Sequence, residues 1–176
     1  MESRTLYLIL TRPVARGQFI LGRFIGLMAL VSAAFILMTG AHLLLLKSIH
    51  IPLSRSYALG MIFAWEKILL ITAVAMVFSL FSTSTVSAIT FTLFFWVLGH
   101  VSTQIRYLAI QAPSHLVAWG CRVFYYLAPN FEALNLMDFN TSSSGNHVLI
   151  TALVYGMTYT AACLALTIFL FRKKEF

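Results

Sequence analysis

A chain of 176 residues in which 60% are hydrophobic and 10% charged, with a mean hydropathy of +0.90, lies far outside the range of soluble globular proteins. A hydrocarbon core of ~30 Å needs about 20 apolar residues per crossing helix, so there is room for four. The net charge of +7 comes from basic residues that flank apolar runs; membrane orientation and anionic headgroups account for it, and no nucleic-acid partner is expected.

The opening stretch combines an amphipathic helix, a proline break and a basic cluster. Over residues 2–12, Leu6, Ile9 and Leu10 fall at helical spacing on one face, and Glu2 sits where a helix N-terminus accommodates negative charge. Arg12 and Pro13 end that helix, and Pro13 suits the first position of the next, whose opening turns carry Arg16 and Arg23. The reading is a surface helix joined by an elbow to a first span at about 18–46. Gly22 and Gly26 in that span have the spacing of close helix approach, and a neighbouring helix of the same chain is their expected partner.

A polar connection containing Pro52 leads to a second span at about 57–81, which holds Glu66 and Lys67, the charges placed at membrane depth. Neighbours on a helix point about 100° apart, so the two cannot form a face-to-face ion pair. Lys67 lies roughly 21 Å from the inner boundary and near enough to the outer one for its stem to snorkel. Glu66 is left as a candidate for a substrate or proton path.

After a tight turn through Ser82 and Thr85, a third span is expected at about 86–103. Its aromatic stripe of Phe91, Phe94, Phe95 and Trp96 reads as helix packing, and His100 at its far end as a partner for headgroups or loop carbonyls. Residues 104–147 form an external segment. There Leu116, Trp119, Val123 and Leu127 recur at helical spacing beside Arg122, Tyr125 and Tyr126, as in a helix lying in the interface or dipping into it. The last span, about 148–171, carries no charge and is stopped by Arg172, Lys173 and Lys174.

Basic residues divide seven (Arg4, Arg12, Arg16, Arg23, Arg172, Lys173, Lys174) against four (Lys47, Arg55, Arg106, Arg122), which puts both termini in the cytoplasm. Cys121 and Cys163 are far apart in unlike surroundings and read as packing residues. The five histidines form no spaced pair with cysteine or carboxylate, so no metal is expected. No phosphate-binding glycine loop followed by Lys-Ser or Lys-Thr is present, which argues against ATP hydrolysis by this chain, and no paired acid and base mark an enzyme.

The order and spacing of several short pieces resemble the permeases of ABC-2 type transporters. They are Glu2, Thr5-Leu6 and Leu10; Arg12-Pro13-Val14-Ala15-Arg16; Gly22-Arg23-Phe24-Ile25-Gly26; Phe78-Ser79 with Ser82-Thr83-Ser84; Leu98-Gly99-His100; Tyr126-Leu127-Ala128-Pro129-Asn130-Phe131-Glu132; and Phe171-Arg172-Lys173-Lys174-Glu175-Phe176. The resemblance implies an all-α polytopic membrane protein, one membrane domain over residues 1–176, that begins in the link between the second and third helices of such permeases and so lacks the first two. It makes residues 2–12 a coupling helix, with Leu6, Ile9, Leu10, Arg12, Pro13 and Arg16 at the contact with a separate ABC ATPase subunit. It places short re-entrant helices before the last span. Two ATPase copies would bind the ATP and Mg that this chain does not, a second permease protomer would complete the path, and the setting would be a bacterial inner membrane. The alternative is a membrane scaffold that anchors a partner complex and moves nothing.

Overall fold

The computed structural model describes residues 16–112, 114–135 and 146–173. The expected coupling helix, with Leu6, Ile9, Leu10, Arg12, Pro13 and the elbow, lies outside them, as does most of the polar loop before the last span. Arg16 is the first residue of the first described helix.

All regular structure among the described residues is helical: α1 (Arg16–Ser48), α2 (Arg55–Phe81), α3 (Thr85–His100), α4 (Ser102–Gln111), α5 (His115–Leu127) and α6 (Asn146–Lys173). Lipid offers no hydrogen bonds, so a spanning backbone must satisfy its own N–H and C=O groups, and helices do so within each segment. Pro52 and Pro129 fall in connections, where their missing N–H breaks no ladder. Helix α1 ends on His50, whose φ of 58° is the left-handed conformation of a helix stop. That residue lets its own N–H reach the Lys47 carbonyl at 3.2 Å and the Ile51 N–H reach the Leu46 carbonyl at 3.1 Å. Ser54 then starts α2 by accepting from the Ser56 N–H at 3.3 Å.

Helices α1 and α2 form an antiparallel hairpin with three cross-links of different chemistry. Trp65 Nε1 donates to Ser32 Oγ at 3.0 Å, Thr39 Oγ1 to the Met61 sulfur at 3.9 Å, and His42 stacks on Tyr57 with ring centroids 5.5 Å apart. Such bonds hold helices together where lipid removes the hydrophobic drive between them. The second pairing, α2 with α6, runs parallel. Toward the Arg55 end, Phe63, Leu70 and Val74 pack with Leu149 and Ala152, and with Phe131 and Leu134 from the segment after α5. Toward the other end, Ala73 and Met76 pack with Ile20, Phe24 and Met28 of α1, and with Cys163, Leu164 and Ile168 of α6. Phe19 stacks on Phe171 at 5.9 Å, so the beginning of α1 and the end of α6 lie at the same end of the bundle.

Three sequence expectations are corrected here. The third span does not continue to residue 103: α3 stops at His100, and α4 leaves at a bend of 69°. Among the described residues three helices are long and apolar enough to cross a membrane, or four if the bent pair counts as one. At 16 residues, α3 is about 24 Å long, short of a full crossing by itself. The aromatic stripe on α3 is only partly core. Phe95 packs on the α2–α6 core and, like Phe91, touches Phe78, whereas Phe91, Phe94 and Trp96 are about half exposed. Among the described residues no helix packs on Gly22 or Gly26, since a Cβ added at either would meet nothing within 4 Å.

Leu70, fully buried between α2 and α6, is expected to matter through packing. Leu70→Ala should cost about 2 kcal/mol or more, because the cavity it leaves loses contacts even where lipid removes the transfer term. Leu37→Ala, on the exposed face of α1, should cost much less. Thermal unfolding in detergent micelles checks the difference.

Candidate functional site

Glu66 occupies the middle of the α2–α6 pairing and is 1% exposed. Its position follows from the step between neighbours on a helix. Lys67 turns away and donates from Nζ to Asn135 Oδ1 at 3.2 Å, beyond the end of α5, while Glu66 turns into the seam with α6. Lys67 therefore reaches toward the segment after α5 and ends on a side chain of the protein. Both Glu66 carboxyl oxygens lack a hydrogen-bond partner.

Gly156 of α6 makes this placement possible. A Cβ there would collide with Glu66 Oε1 and stand 2.7 Å from Cδ and 3.0 Å from Cγ, so the carboxyl fills the space that any other residue's side chain would take. Four residues on, and so on the same face of α6, the buried Thr160 hydroxyl also has no partner. Thr167, further along α6, bonds back to the Cys163 carbonyl at 2.7 Å and is satisfied. The α2–α6 seam thus contains a carboxyl and a hydroxyl whose hydrogen-bonding capacity is unused.

A second polar constellation sits where the third span breaks. The turn after α5, Ala128 to Glu132, wedges between the α3–α4 bend and α6. Pro129 and Phe131 are fully buried, and the Phe131 N–H donates to the Gly99 carbonyl at 3.1 Å. A Cβ on Gly99 would collide with the Phe131 ring and the Pro129 carbonyl, so only glycine admits the wedge. Asn130 organises the turn: its Oδ1 accepts from Ser102 Oγ at 2.8 Å and from the Ala133 N–H at 3.0 Å. Glu132 Oε2 accepts from the Thr103 N–H at 3.1 Å, placing an acid on the free amides at the start of α4.

Helix α6 holds the other side of the wedge. Tyr155 OH accepts from the Asn130 N–H at 2.8 Å, and Tyr159 OH donates to the Leu127 carbonyl at 2.7 Å. His100, expected to meet headgroups or loop carbonyls, instead has Nδ1 2.9 Å from the Trp96 carbonyl of its own helix and lays its ring on Phe131 at 5.2 Å. It is a packing residue. Helix α5 leans on α4, and the stripe of Leu116, Trp119, Val123 and Leu127 is exposed.

Of the candidate site residues named from sequence, Glu66 is the one that the described structure places at an interface between spans. Gly156, Thr160, Ser102, Tyr155 and Tyr159 carried no signal, because a glycine, threonine or tyrosine in an apolar run is ordinary. Gly99 and Asn130 lie inside the short pieces already quoted, which marked the wedge without showing what it does. Among the described residues no three His, Cys, Asp or Glu side chains gather as a metal site. Comparison with known proteins finds no matching family model, no matching curated protein and no matching solved structure.

Gly99→Ala is expected to dislodge the wedge at a cost of about 1–3 kcal/mol, the usual range for overpacking. Amide hydrogen exchange should then speed up across α4 and α5 with α1 unchanged. Tyr155→Phe, which deletes one hydrogen bond of about 1 kcal/mol, should give the same pattern in weaker form.

Proposed function

We propose that this chain is a permease subunit of the ABC-2 type, an exporter component that forms part of a membrane path and is driven by a separate ATPase. The observation that carries the reading is the wedge. Two of the short pieces that resemble such permeases, Leu98-Gly99-His100 and Tyr126 to Glu132, are far apart in sequence and meet at Gly99 and Phe131. The short helices α4 and α5 before the last span fit the re-entrant helices that the resemblance implies there.

The proposed orientation puts both termini in the cytoplasm of a bacterial inner membrane. Phe19 against Phe171 supports a common end for α1 and α6, and the basic residues Arg16, Arg23, Arg172 and Lys173 mark that end as the inner one. Thiol labelling in intact cells checks it, in a background with Cys121 and Cys163 replaced. Ser143→Cys should react with an impermeant reagent and Ser84→Cys should not; the reverse pattern overturns the orientation.

In the proposed mechanism, closure of two ATPase subunits pushes the helix over residues 2–12, and Pro13 passes the push to α1. The spans of this protomer and of a second one re-pack between inward-open and outward-open arrangements, a shift between two populations. Within the chain the seam proposed to open is α2–α6. Its unpartnered Glu66 and Thr160 groups lose no hydrogen bond when the helices part, and they gain hydration. That is the basis for Glu66 as a path residue.

Leu6→Asp or Leu10→Asp should weaken co-purification of the ATPase about tenfold or more, as removal of a leucine contact of roughly 1.5–3 kcal/mol implies, and should uncouple hydrolysis from transport. Leu8→Asp, on another face, should do less. Retained binding and coupled turnover in the first two variants would leave this helix an interfacial anchor and favour the scaffold reading.

A further inference from the structure

The Glu66 carboxyl is enclosed without anything to satisfy it. It is 1% exposed, neither oxygen has a hydrogen-bond partner among the described residues, and the carboxyl fills the space that a side chain on Gly156 would take. An ionised carboxylate in such a place carries a large desolvation penalty, which is met by a cation, by water or by a proton. Proton-bearing and cationic side chains on the surrounding elements do not supply the partner. Helix α6 brings Tyr155, Tyr159 and Cys163; Tyr155 and Tyr159 are committed to the wedge, and Cys163 makes no bond to the carboxyl. Helix α1 brings Arg23, His42 and Lys47, and α3 brings His100, none of them bonded to it. On α2 itself, Lys67 is turned to Asn135.

Space separates the remaining choices. A metal ion needs several oxygen ligands in a shell, and a water needs a polar void with two to four partners. Here the carboxyl already lies against the glycine backbone, and the one other unpartnered oxygen nearby on α6 is Thr160 Oγ1, a turn away. A proton needs no room. It also converts the carboxyl from an acceptor alone into a donor and acceptor, the complement of a threonine hydroxyl.

We propose that Glu66 is a proton-binding site, and that the bound proton is what allows α2 and α6 to close on each other at Gly156. This rests on the reading of Glu66 as a path residue and gives that path a ligand class: the proton is taken up when the seam closes and is released to water when it opens. At closure a hydronium ion of the hydrated seam gives up one O–H bond as one forms on a carboxyl oxygen, leaving water; at opening that bond breaks and the proton returns to water.

Infrared spectroscopy of the purified chain in lipid nanodiscs at neutral pH tests the proposal without ATPase or substrate, so its outcome is separate from that of the permease reading. The wild-type spectrum minus that of Glu66→Gln should show loss of the C=O stretch of an un-ionised carboxylic acid. Loss of ionised carboxylate bands instead would overturn the proposal. A second variant covers the case in which Glu66→Gln misfolds: Glu2→Gln, Glu132→Gln, Asp138→Asn and Glu175→Gln together leave Glu66 as the sole side-chain carboxyl of the five acidic residues. That protein should show the un-ionised band, and a spectrum with carboxylate bands alone would sink the idea. A transport assay that fails while the acid band is present would leave the proton site standing and remove the exporter.

Discussion

An acid enclosed between two apolar helices constrains everything around it. Helix α2 is the hub of the bundle, packed on α1, α3 and α6, and its Glu66 enters the seam with α6 because Gly156 leaves the space. Helices α1, α2 and α6 are each long and apolar enough to cross a membrane, so little besides packing and a few polar bonds chooses their arrangement. The α1–α2 pairing has such bonds at Ser32 and Thr39, whereas α2–α6 has unused polar groups at its centre. The two pairings therefore differ at their centres, one crossed by polar bonds and the other filled by packing around Glu66.

In the proposed mechanism that difference sets a direction of movement. With α1 and α2 held as a hairpin, displacement of α1 carries α2 with it, and α6 is the neighbour against which it slides. Tyr155 and Tyr159 fasten α6 to the turn after α5, and that turn is keyed into the α3–α4 bend through Gly99, Ser102 and Thr103. Opening α2–α6 would then drag the wedge and the short helices with it, or break its hydrogen bonds. In the proposed cycle, an event at the Arg16 end of α1 would reach the far end of the bundle through these contacts.

Much of this architecture was legible in the sequence and some was not, for physical reasons. Long apolar runs fix the spans because lipid leaves helices as the only solution for such segments, which is why α1, α2 and α6 fall close to expectation. The break at Val101 was missed because no proline or glycine stands at 101. The bend is imposed by tertiary packing of Phe131 on Gly99 and by the Glu132 carboxylate on the first amides of α4, and both partners come from some 30 residues downstream. Exposure of Phe94, Trp96, Gly22 and Gly26 was misjudged because periodicity in a membrane helix does not distinguish a face turned to lipid from one turned to protein: both are apolar. Glu66 stood out because charge at membrane depth is costly, but its partner Gly156 was silent, since a glycine in a charge-free run carries no mark of what leans on it.

In the proposed function the α2–α6 seam is the one that opens and closes during transport. Ala73 of α2 and the native Cys163 of α6 share one packed cluster, so Ala73→Cys supplies a thiol on the opposite side of that seam, with Cys121 replaced to leave a single pair. The measurement is ATP-driven transport by the reconstituted complex before oxidation, after oxidation to a verified disulfide, and after reduction. The account predicts that the staple stops transport while ATP binding persists, and that reductant restores it; full transport through a stapled seam would contradict it.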